Sequence, residues 1–260
     1  MQKDTEAPRF SRLRTFFWPV HGHELKKLIP MLVIFFLLSF DYNILRSMKD
    51  TFVITAEKSG AEVIPFIKVW AMFPMSVIIT YFYIRLSNRY SRETVFYTIL
   101  SFFLGFFFLF ATVLYPARDY LHPHAFADSL QQTLPEGLKG AIAMIRYWTF
   151  TGFYVMSELW GNIIMFLLFW GFANQVTKLD EAKRFYGLFG IGINFSGIAA
   201  GTISIAIGQM TSRAALYSGK EAWGQSVNYL LTLVLLTGLA AMALFRWLNT
   251  VAMKDPTLKT

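Results

Sequence analysis

Residues 31–52 read MLVIFFLLSFDYNILRSMKDTF. The first ten are apolar except Ser39; then Asp41, Arg46, Lys49 and Asp50 follow within one continuous helical pattern. A bilayer crossing takes about 20 mostly apolar residues. The run starts near Leu28 and reaches at least Met48, so the charges are either the wet end of a span or groups inside one. A Lys or Arg at mid-bilayer costs roughly 2.5–3.5 kcal/mol, and such residues face a polar cavity or a partner. Spacing i, i+4, i+7 places Tyr42, Arg46 and Lys49 on one stripe. Asp50, four residues after Arg46, is in reach to pair with it. Asp41 lies inside the apolar run and needs either a partner or a proton.

The remaining chain extends this pattern. Of 260 residues, 55% are hydrophobic and 15% charged, with Phe at 27 positions; soluble domains carry roughly 25% charge. The composition indicates an all-α integral membrane protein. Further spans are expected at 61–86, 94–115, 141–174, 186–210 and 227–248, which makes six. Residues 1–27 read as a cytoplasmic N-terminal segment whose RFSRLRTFFWPV mixes basic and aromatic residues, as a membrane-surface segment does. Residues 28–260 read as one bundle. A loop rich in Pro and His separates the third and fourth spans, and the other connections are short. Most of the 24 basic residues fall at the N-terminus, near 85–92, near 178–184 and after 246. This bias sets both termini on the cytoplasmic side. The net charge of +8 is thus accounted for without nucleic acid as a partner.

Three charges besides those of the first span fall in or beside spans. Lys68 either snorkels to the outer surface or faces a cavity. Arg146 is either an interfacial residue or a cavity residue. Glu158 sits mid-span, on a stripe with Tyr147, Thr151, Tyr154 and Gly161 or Asn162, and needs a charge partner. Trp148, Trp160, Trp170, Phe150 and Phe153 are candidates either for stacking on a flat ligand or for plain packing. Gly197 and Gly201 form a small-residue pair that lets helices approach, with Asn194 a polar contact. His21, His23, His122 and His124 read as solvated loop residues. There is no cysteine, no metal spacing, no phosphate loop of the G-x-x-x-x-G-K-[ST] type and no nucleophile motif. No metal or cofactor is expected, and an enzyme has no support.

YNILRSMKDTFVITA and EVIPFIKVWAMFPMSVI resemble the first two spans of the ATP/ADP translocases of obligate intracellular bacteria and plastids. YVMSELWGNIIMFLLFWGFANQVTKLDEAKRFYGLFG resembles them more specifically, and the similarity, closest to chlamydial members, covers essentially the whole chain. It implies a major-facilitator-like fold and exchange of host ATP for ADP and phosphate across the bacterial inner membrane. Family charges essential for transport match Lys49 and Glu158; two others lie in a second half with no counterpart here. Family members are about twice this length, so the chain reads as the N-terminal six-helix half, whose partner is the C-terminal half. The loop RLSNRYSRET lacks the Gly-Asp-Arg/Lys signature of sugar and drug porters. Arg46 and Lys49, with Lys68 and Arg146, supply cations for phosphates. Two alternatives stay open: proton-coupled uptake of nucleotides or NAD, and a non-transporting membrane scaffold.

Overall fold

The computed structural model describes Val20 and residues 22–218 and 221–251. Most of the 1–27 segment, with His21 and the side chain of His23, lies outside the described residues. Among the described residues, six helices are long and apolar enough to cross a membrane: α1 (Leu25–Thr55), α2 (Val63–Arg89), α3 (Arg92–Leu114), α4 (Trp148–Val176), α5 (Leu179–Ser218) and α6 (Ala222–Thr250). No strand occurs among the described residues. The protein is an all-α integral membrane protein.

Local chemistry sets several helix starts. Ser91 stands before α3 with extended backbone, and its Oγ accepts from the Thr94 amide, which satisfies one orphan donor of the first turn. The first turn of α5 carries Asp180 and Glu181, favoured by the positive end of the helix dipole. Glu181 also accepts from the Lys178 amide at 2.9 Å. At this end α5 is fastened to the start of α1: Arg184 grips Glu24 through two bonds of 2.8 and 2.6 Å, and Lys27 meets Glu181 at 2.6 Å.

The bundle is organised around α1, which packs against α4, α5 and α6. Its buried face includes Leu38, Ile44, Leu45, Met48 and Phe52. Phe52 is the hub of an aromatic cluster with Phe110, Phe150, Phe153 and Trp223. By contrast α2 exposes Trp70, Phe73, Val77 and Phe82, as a helix facing lipid does. Close approach relies on Gly161, where an added Cβ would lie 2.9 Å from the Tyr42 ring, and on Gly238, where it would lie 2.5 Å from Leu104. The expected Gly197–Gly201 pair does not act as one. Gly197 faces Asn43 at ordinary distance and Gly201 faces open space, because α5 turns much of this stretch outward.

Two expectations need correction. The fourth span does not begin at Ala141. Residues Lys139–Arg146 form a separate helix, and Tyr147 breaks the path with φ −109° and ψ 48°. The break keeps Arg146 out of the apolar span. Its Nη2 donates to Asp128 at 2.8 Å and to Gln131 at 3.3 Å, on the helix His124–Thr133. Asp128 also takes a 3.0 Å bond from Lys58, and these two bonds hold its carboxyl below the usual range. The connection between α3 and α4 is therefore a folded cap. In that cap His122 is not solvated. It is buried, shares a 2.6 Å hydrogen bond with Thr149 and packs on Tyr147 and Phe150. Burial, with His124 beside it, pushes its pKa down to about 4.

Candidate functional site

Lys49 lies two turns beyond Asp41 on α1, on the face turned toward α4. Its ammonium is 2.9 Å from Glu158 Oε1 and 2.7 Å from Asp50 Oδ1. It also stands 4.0 Å from the centre of the Tyr154 ring. Only 3% of the Lys49 side chain is exposed, against 21% for Glu158 and 42% for Asp50. Tyr154 and Glu158 are one turn apart on α4, so a single helix face offers a ring and a carboxylate to the same cation. The three interactions act together. A buried ammonium is costly unless paired, and a ring face adds roughly 0.5–2 kcal/mol.

The helical stripe along α1 is split by burial. Tyr42 is half-buried against Gly161, Lys49 is buried and Arg46 is exposed. Arg46 bonds to no side chain among the described residues. Asp50 therefore does not pair with Arg46 as expected. Residues three apart on a helix lie about 60° from each other when projected down the axis, and the edge of the α1–α4 contact passes between Arg46 and Lys49. The buried cation takes the carboxylate that the exposed one does not need.

Asn162 was expected on the Glu158 stripe, but it is exposed and forms no side-chain bond among the described residues. Residues Trp160–Trp170 are π-helical. The wider turn begins just after Glu158 and rotates all that follows out of the α-helical phase; such turns cluster at functional sites. Lys68 also lies in a π-helical stretch, Ile67–Met72, and is exposed. Arg146 belongs to the cap and not to this cluster. Asp41 is buried against Thr237 of α6, away from Lys49.

Packing claims the aromatic candidates except Trp148, which is exposed. Trp160 is fully buried, donates to the Leu38 carbonyl at 3.0 Å and meets Phe103 and Phe107. Phe150 and Phe153 are ringed by Phe52, Trp170 sits edge-on to Phe35 and Tyr186, and Trp148 donates to the Leu121 carbonyl. Asn194 bonds within its own helix, to the Gly190 carbonyl. Sequence reading missed Asn43, which donates to the Ser39 carbonyl at 2.8 Å and reaches Ser196 of α5 at 3.5 Å. It also missed Thr237. An amide inside an apolar run was the available signal for Asn43. Thr237 offered none, since a lone threonine in a span satisfies itself on its own helix.

The cluster is thus a nearly dry cation held by two carboxylates of unequal exposure, with an unpaired guanidinium on the next turn. The model of the TLC ATP/ADP transporter family matches residues 3–260. ADP,ATP carrier protein 1 of Chlamydia pneumoniae is 48% identical over 256 residues, covering 98% of this chain and 49% of that protein. The plastidic ATP/ADP-transporter of Solanum tuberosum is 45% identical over 212 residues, covering 82% of this chain and 33% of that protein. The chain spans about half the length of the chlamydial carriers it matches. No solved structure gives a significant match. With a match that runs across nearly all of its length, the chain belongs to the TLC ATP/ADP transporter family.

Proposed function

We propose that this bundle works in a carrier that exchanges ATP for ADP and phosphate by alternating access, without hydrolysis. The observation that carries the reading is the Lys49–Glu158 pair at 2.9 Å, with Lys49 buried and Glu158 partly open. Nucleotide phosphates bring several negative charges to a wall of low dielectric, where cations attract them strongly. Phosphate arriving at Lys49 displaces Glu158, so the pair closes when empty and opens when loaded. Arg46 gives the first phosphate contact, with the planar fork suited to it. Asp50 and Tyr154 keep Lys49 in place when Glu158 leaves. Tyr42 borders the same face, Asn162 stands exposed beyond it on α4, Lys68 serves only through its exposed end, and Arg146 is left to hold the cap.

The names of the chlamydial relatives support ATP and ADP as the cargo, and their bacterial source supports a bacterial membrane, which we take to be the inner one. The bias of basic residues supports cytoplasmic termini, with residues 1–27 on that surface and 28–260 as one functional half. The greater length of the relatives supports a second six-helix half, facilitator-like, closing the cavity within the lipid bilayer.

The test is uptake of labelled ATP by cells expressing the carrier, preloaded with ADP. Exchange predicts uptake that is stimulated by internal ADP and insensitive to uncouplers. One-way, uncoupler-sensitive flux would overturn it in favour of proton-coupled uptake. Loss of no activity in both Lys49→Ala and Glu158→Gln would remove these residues from the pathway.

A further inference from the structure

Asp41 lies midway along α1 and is fully buried, and the Lys49–Glu158 cluster does not use it. Its Oδ1 meets Thr237 Oγ1, midway along α6. Its Oδ2 is buried without a hydrogen-bond partner. No cation bonds it. Arg46 is exposed, and Lys49 is taken by Asp50 and Glu158. Along the middle of the helices packed on α1 there is no other charge but Glu158. α6 has none from Ala222 to Phe245, α5 none from Phe185 to Ser212, and α4 only Glu158. The remaining titratable groups on those stretches are Tyr154, Tyr186 and Tyr229, and none bonds Asp41.

Thr237 is the side chain that bonds Asp41 among the described residues. Its hydroxyl also lies 2.7 Å from the Leu233 carbonyl and 3.2 Å from the Val234 carbonyl of its own helix. A hydroxyl has one proton to give and lone pairs with which to accept. A threonine inside a helix gives that proton to the carbonyl four residues back. With that proton on Leu233, Oγ1 presents lone pairs to Asp41 and an ionised carboxylate would have no donor on either oxygen; with the proton turned to Oδ1, Oδ2 would still have none. A dry, unpaired, unbonded carboxylate is among the costliest groups a fold can hold.

We propose that Asp41 and Thr237 form a proton-binding site that closes the seam between α1 and α6. The neutral acid donates from Oδ1 to Thr237 Oγ1, which donates to the Leu233 carbonyl. Oδ2 becomes a neutral carbonyl oxygen, for which a missing donor is a far smaller penalty than for a charged one. The ligand is one proton. It leaves to water, with the carboxylate left behind, only when α1 and α6 part. In the protonated state the seam is therefore held by a bond that Asp41 donates, and no buried charge opposes its closure.

Infrared spectroscopy of the purified protein at neutral pH, in water and deuterium oxide, reads this directly. The carbonyl stretch of a protonated carboxylic acid is expected, shifted by deuterium and lost in Asp41→Asn. Thr237→Val removes the acceptor and is expected to move that band to higher frequency, while Thr237→Ser keeps it in place. Asp41→Asn is neutral and carries its own N–H donor, so it is expected to keep the melting temperature at pH 7. Should Asp41→Asn remove only carboxylate intensity, or lower the melting temperature, the site holds an ion and the proposal fails. A band that ignores Thr237→Val overturns the pairing.

Discussion

Lys49 and Glu158 meet at 2.9 Å across the contact of α1 with α4, the lysine almost dry and the glutamate a fifth exposed. Breaking a fully buried pair costs roughly 3–5 kcal/mol; here the open side of Glu158 lets water screen what is left. Glu158→Gln leaves Lys49 with Asp50 and the Tyr154 ring, and is expected to keep the protein folded. Its ATP uptake should fall about tenfold or more, a change of roughly 1.4 kcal/mol or more in the barrier. Lys49→Ala should fall as far, and the double variant no further. Additive losses in uptake would show that the two side chains act independently.

Arg46 stands apart from that pair and from the core. Arg46→Ala should shift the melting temperature little, as exposed substitutions change stability by about 0.5 kcal/mol or less. Its expected effect is a raised KM for ATP with a smaller change in maximal rate. A lowered melting temperature with unchanged KM would contradict the assignment.

Gly140 sits where the helix Lys139–Arg146 docks on the start of α2. A Cβ there would lie 2.5 Å from the Glu62 carbonyl oxygen and 2.5 Å from the Phe66 ring. The carbonyl belongs to the backbone and cannot swing aside. Gly140→Ala is expected to destabilise by about 1–3 kcal/mol, the usual range for overpacking, read as a lowered midpoint in thermal unfolding. An unchanged midpoint would mean that this docking is loose.

His122 gives the cap a pH dependence. Its folded pKa is near 4, below the ordinary 6.5, so the unfolded chain binds more protons between those values. Stability is then present above about 6.5 and lost as pH falls toward 4. The melting temperature should drop on acidification through this window, and drop less in His122→Gln. Equal slopes in both proteins would assign the acid sensitivity to other groups.

Trp160 ties α4 to α1 through the Leu38 carbonyl. Trp160→Phe keeps most of the ring contact with Phe103 and Phe107 and removes the donor. The expected cost is about 1 kcal/mol, since the Leu38 carbonyl stays within its own helix. Thermal unfolding of the pair of proteins measures it, and no loss would mean the bond contributes nothing net.

Some of this was legible in the residues alone. The apolar runs located all six spans, since only a length and a composition are needed to cross a bilayer. Lys49 and Glu158 stood out for the same reason, as charges where none is tolerated without a partner. The pairing of Asp50 was misjudged because helical spacing measures angle and not burial, and burial is supplied by a second helix. Asn162 was misplaced because the change to π-helical phase after Leu159 has no signature in the order of the residues.

Hydrophobic patterning along the chain determined the class of the protein, the number of its spans and the two charges most costly to bury, because each depends on transfer of local groups out of water. Tertiary structure decided which charge meets which, from Lys49 taking both carboxylates to Arg146 turning into the cap and Asp41 finding Thr237. Those choices depend on which faces of separate helices are brought within about 3 Å, and no single stretch of sequence carries that distance.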